Sequence, residues 1–105
     1  MLSEVPLGKG FLDLKKMMQV MRGANAKIQF SLEMITRDPL KIPCLTKKYW
    51  AVMEGARGEE LAETILMVRK KASRELPSVA GMNADERAKF EDRNVRESFE
   101  YLRGM

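Results

Sequence analysis

Three side chains in this sequence stand where their type and setting suit chemistry: Glu33, Arg37 and Lys9. Glu33 ends an alternating apolar–polar run, so its carboxylate is placed at the C-terminal end of a strand; the plain alternative is a solvated strand-end acid. Arg37 carries a planar fork of donors that suits a phosphate or hydroxyl, or pairs with the adjacent Asp38 on a surface loop. Lys9 lies within Gly8-Lys9-Gly10, just ahead of a helix start, where backbone N–H groups and an ammonium can approach a phosphate. So short a motif falls well short of a phosphate-binding loop and serves equally as a turn. The chain has no histidine and one cysteine, Cys44, which excludes a Ser/His/Asp triad, a Cys/His dyad, any imidazole metal site, an internal disulfide and a thiolate zinc cluster. Cys44 is expected to be a packing residue.

The elements that must position these groups follow from periodicity. Asp13 stands as an N-cap for a helix in which Met17, Met18 and Met21 follow Leu14 at three, four and seven and form one buried stripe, with Gly23 as the stop. Residues Lys27 to Met34 read as a strand, with Ile28, Phe30 and Leu32 alternating strictly with Gln29, Ser31 and Glu33. The segment Thr36 to Pro43 holds two prolines and reads as a loop. A short helix is expected between Leu45 and Glu54, capped by Thr46 and carrying Tyr49 and Trp50, which suit a core more than a sugar-stacking platform. A stronger one starts at Glu59, with Leu61, Ile65 and Val68 on its stripe and acids leading bases in the order the helix dipole favours. Ser73 to Gly81 reads as a linker, and Asn83 with Glu86 forms a capping box for a last helix to Arg103, whose apolar face comprises Phe90, Val95, Phe99 and Leu102.

A length of 105 residues allows one core at most. Hydrophobic residues at 45% and charged residues at 32% place the chain in the globular class, and no apolar run approaches the roughly 20 residues of a membrane span. Residues Met1 to Gly10 lack the apolar centre of a secretory signal, so a cytoplasmic location is expected. The formal charge is +4, but the bases are interleaved with acids as on solvated helix faces, which argues against nucleic acid as a partner.

Two longer runs, Glu4-Val5-Pro6-Leu7-Gly8-Lys9-Gly10-Phe11-Leu12-Asp13 and Phe30-Ser31-Leu32-Glu33-Met34-Ile35-Thr36-Arg37-Asp38-Pro39, resemble the C-terminal part of a sugar phosphate isomerase/epimerase of the xylose isomerase-like TIM-barrel superfamily. The tail Asn94-Val95-Arg96-Glu97-Ser98-Phe99-Glu100-Tyr101 is similar to that group's closing helix. The resemblance spans most of the chain but about the last third of such an enzyme. It implies that Ile28 to Glu33 is the last barrel strand, with Glu33 at the end that carries the active site. It further implies a divalent ion (Mn²⁺, Mg²⁺ or Zn²⁺) held by Glu33 and by acids and a histidine outside this chain. Two glutamates, Glu33 being one, would then move a proton between neighbouring sugar carbons, with Arg37 and Lys9 meeting a sugar or sugar phosphate substrate.

The expected fold class is therefore α/β, a fragment of a TIM barrel comprising its last strand and flanking helices, with a mainly helical tail. Residues 1–44 would form a loop-helix-strand-loop unit and 45–105 the tail, together one partial domain. The expected function is that of the C-terminal part of a metal-dependent sugar isomerase or epimerase. Alone the chain is expected to be inactive and to bind little metal, because the other ligands are lacking. A strand with two open edges also predicts self-association or a missing N-terminal barrel portion as its partner. The alternatives are a non-catalytic helical interaction module and a metal-dependent phosphodiesterase of the endonuclease IV-like group, which needs histidines this chain lacks.

Overall fold

The computed structural model describes residues 1–105 and contains four helices: α1 (Leu14–Ala24), α2 (Lys47–Trp50), α3 (Gly58–Lys71) and α4 (Ala84–Arg103). Their starts follow the local chemistry of the sequence. The Asp13 side chain accepts from the Lys16 N–H at the head of α1, and Thr46 does the same for Tyr49 at the head of α2. The Asn83–Glu86 capping box closes in both directions at the head of α4. Each cap satisfies donors that the first turn of a helix leaves orphaned. The second helix is a single turn, shorter than the Leu45–Glu54 span expected. Trp50 holds it by donating its indole N–H to the Cys44 carbonyl at 2.7 Å and meeting Tyr49 edge to face.

There is no β-sheet, and the expected TIM-barrel fragment is not what the chain forms. The one bridge joins Leu2 to Leu40, each N–H donating to the other's carbonyl at 2.8 Å. Residues 28–39 run without helix, turn or bend, and the predicted alternation survives only in part: Ile28 and Leu32 are half-buried and Gln29, Ser31 and Glu33 exposed, but Phe30, its central apolar residue, is 42% exposed. From Gln29 to Met34, however, no backbone N–H or C=O is hydrogen-bonded to another part of the chain. The strand pattern is present and its partners are not, because a strand becomes part of a sheet only where a second backbone lies alongside it.

Packing centres on α4. The loop at the N-terminus and the extended segment lie against it, and the most buried residues are Pro6, Val79, Asn94 and Ser98. The expected apolar face of α4 is turned inward in part, with Phe90, Val95 and Leu102 half-buried and Phe99 46% exposed, while the deepest burial falls on the polar Asn94 and Ser98. Ser98 serves as a clamp: its hydroxyl accepts from the Leu7 N–H at 3.1 Å and donates to the Asn94 carbonyl at 2.8 Å. One turn on, the Tyr101 ring lies so close to Gly8 that a Cβ there would enter it, and Gly8 has a φ of +82°, a conformation that glycine adopts at little cost. The Gly-Lys-Gly motif is thus a tight turn fitted to α4.

The methionine stripe of α1 is not buried as expected: Met17 and Met21 are each 39% exposed and α1 contains no buried residue. The helix α3 likewise buries none, and Val68 on its stripe is 43% exposed. The segment read as a linker, Ser73 to Gly81, is instead anchored at its far end, with Val79 among the most buried residues.

Candidate functional site

The extended segment and the residues bracing it form the region where the candidate groups lie. Glu4, from the N-terminal loop, grips its end with both carboxylate oxygens. One accepts from the Ile35 N–H at 3.0 Å and the other from the Arg37 guanidinium at 2.6 Å. From α4, Glu91 accepts from the Thr36 N–H at 3.2 Å. Asp38 then reaches back to the 78–80 turn, where its Oδ1 accepts from the Ser78 hydroxyl at 2.7 Å and from the Val79 N–H at 2.8 Å. The hydrogen bond from Ser78 holds the Asp38 carboxyl below the usual carboxylate range, aided by the Val79 and Ala80 N–H groups and the positive Arg87.

Lys9 is paired with Glu97 of α4, and this hydrogen bond lowers the Glu97 pKa from its ordinary value, with Arg93 adding to the effect. Arg37 is likewise paired, with Glu4 rather than with the neighbouring Asp38. Two of the three side chains expected to do chemistry therefore meet acids of this chain. Glu33 does not: it is exposed and makes no hydrogen bond or ion pair. Glu4, Asp38 and Glu91 are all committed to holding backbone or side-chain donors, which leaves Glu33 as the one free acid of the segment.

The residues present do not fit a resident divalent ion. No three His, Cys, Asp or Glu side chains converge to hold one, and a lone Glu33 offers one or two oxygens where Mg²⁺ or Mn²⁺ takes about six.

Sequence reasoning missed the bracing acids Glu4, Glu91 and Glu97 and the clamp Ser98. For α4 a signal existed: Glu91, Asn94, Ser98 and Tyr101 are spaced by three, four and three, one stripe of the helix, but polar types hid it. Glu4 and Asp38 act across long separations, from loops, and carry no periodic signal. Comparison of the chain with protein-family models, curated proteins and solved structures finds no match in any of the three. No helix is long and apolar enough to cross a membrane.

Proposed function

We propose that this chain works as one component of a larger assembly of the sugar or sugar phosphate isomerase/epimerase kind, to which it contributes the carboxylate of Glu33. The observation that carries the assembly is surface area. The chain exposes 9058 Å², whereas a compact protein of its 12.0 kDa exposes about 6000 Å². Roughly 3000 Å² more than expected is thus available for covering, and Phe30 and the methionine stripe of α1 lie within it.

The resemblance of the Phe30–Pro39 run supplies the kind of chemistry, and the unengaged state of Glu33 supports its role. A free carboxylate just ahead of the braced Ile35 and Thr36 can take a proton from a carbon beside a carbonyl and return it to the neighbouring carbon. The other groups such a reaction needs would come from the partner polypeptide. To test this, the chain is isolated with the polypeptide that covers it and the complex is assayed for interconversion of sugar phosphates. Glu33→Gln is expected to cut turnover by roughly a hundredfold or more, as loss of a general acid–base group does, with the complex still assembled. An intact complex without isomerase or epimerase activity, or one indifferent to Glu33→Gln, would overturn the enzymatic part.

A second reading, a non-catalytic helical interaction module, is favoured by the internal pairing of Lys9 with Glu97 and Arg37 with Glu4, which occupies the groups expected to meet substrate. It predicts the same assembly with no dependence of any activity on Glu33.

A further inference from the structure

The extended segment leaves six consecutive residues, Gln29 to Met34, with backbone donors and acceptors unused along both edges. Such an edge is a template for another strand. On one flank a groove of 650 Å³ opens between the segment, α1 and the end of α4, lined in part by Met18, Arg22, Ile28, Phe30 and Leu102.

From the pattern of side chains along this edge, we infer that its occupant is the same segment of a second copy, antiparallel and centred on Phe30. A twofold axis makes two identical strands run antiparallel, with residue i opposite a residue j such that i and j keep a constant sum. The sum must be even, since an odd one would set the apolar residues of one strand beside the polar residues of the other. Centring on Phe30 places Ile28 opposite Leu32 and Phe30 opposite itself on the apolar face. On the polar face it places Gln29 opposite Ser31 and Lys27 opposite Glu33, and twofold symmetry gives the last pair twice. Moving the centre two residues on, to Leu32, sets Lys27 against Arg37 instead. Moving it by one, to Ser31, keeps the apolar pairs but sets Lys27 against Ile35 and gains no ion pair.

Both charged side chains are available, because Lys27 and Glu33 are exposed and neither is in an ion pair within the chain. Lys27 sits in the turn just ahead of the extended run, its N–H donating to Asn25 Oδ1 at 3.0 Å, so the pairing extends the run by one residue. Area is available as well: a stable interface takes about 800 Å² from each partner, well within the surplus surface. The pairing does not rest on the enzymatic role of Glu33 and competes with it, because it engages the Glu33 carboxylate with Lys27 of the opposing strand.

The test is a charge swap read by sedimentation velocity across a concentration series at low ionic strength, where exposed pairs are least screened. The chain is expected to sediment as a monomer–dimer equilibrium. Lys27→Glu sets an acid against Glu33 of the opposing strand at each of the two symmetry-related pairs and is expected to raise the dimer dissociation constant roughly tenfold, and Lys27→Glu with Glu33→Lys together to bring it back within about threefold of the starting value. Far-UV circular dichroism establishes that each variant keeps its helices. A chain that stays monomeric, a dimer insensitive to Lys27→Glu, a loss not rescued by the swap, or growth into larger oligomers through both edges would each overturn the pairing.

Discussion

Asp38 shows how one side chain can organise a region that has no sheet to organise it. It caps the 78–80 turn with a single oxygen that accepts from both the Ser78 hydroxyl and the Val79 N–H, so the segment following α3 is fixed to the end of the extended run. The hydrogen bonds favour the ionised form, and the Asp38 pKa is lowered in the docked state. Docking is therefore supported fully above the ordinary aspartate range, and the support is lost as pH falls through the lowered native value. In a pH titration followed by nuclear magnetic resonance, the Val79 amide shift is expected to hold its docked value from neutral pH down through the ordinary aspartate range and to move to its undocked value only at the acid end. Asp38→Asn should shift it toward the undocked value at neutral pH and abolish the acid transition. An unchanged Val79 signal in that variant would show that burial of Val79, rather than the carboxylate, docks the turn. Gly8 and Ser98 work in the same manner at the other side of α4, one by lacking a Cβ beside Tyr101 and one by accepting the Leu7 N–H. The local sequence marks Gly8 as a turn and Ser98 as one member of a helical stripe, but it does not name the partners of Asp38, Gly8 or Ser98, since each lies tens of residues away.

Helix starts were the most legible elements, and the reason is that a cap is a contact over three residues. Asp13, Thr46 and Asn83 all cap as their spacing predicts. Which residues of a helix are covered most depends instead on what lies opposite, and on α4 the loop backbone at Leu7 and Thr36 meets the polar Ser98 and Glu91, while Phe90, Val95 and Leu102 are half-buried. The strand was legible as alternation and illegible as pairing, because hydrogen-bonding partners are not encoded in the segment itself. The capping box at Asn83 carries particular weight here: α4 is the element on which the loop, the extended run and the Val79 turn all rest. Asn83→Ala removes the acceptor for the Glu86 N–H and is expected to cost α4 about 1 kcal/mol. The result should be a measurable loss of helical ellipticity at 222 nm on warming, earlier than in the parent chain. Glu86→Ala, which leaves the Asn83 acceptor in place, should cost less. Equal ellipticity curves for the parent and Asn83→Ala would mean that tertiary contacts, and not the cap, hold the first turn.

The dimensions of the whole molecule tell the same story as its edges. The Cα radius of gyration is 16.8 Å, against about 13 Å for a compact chain of this length. The surplus of exposed surface has a direct thermodynamic consequence, because the denaturant dependence of unfolding scales with the area newly exposed. An unfolded chain of 12.0 kDa presents about 17,400 Å². Starting from 9058 Å², unfolding exposes roughly three quarters of what a compact protein of equal mass would expose. The urea m-value of the dilute chain should therefore be about three quarters of that of a compact domain of its length, measured by circular dichroism at a concentration below that of pairing. Raising the protein concentration covers the Gln29–Met34 edge and part of the surplus, so the m-value per chain should climb with concentration while the midpoint also rises by mass action. A full-sized m-value at the lowest concentration would show that the chain closes on itself in solution, which would remove the surface that both the assembly and the strand pairing require.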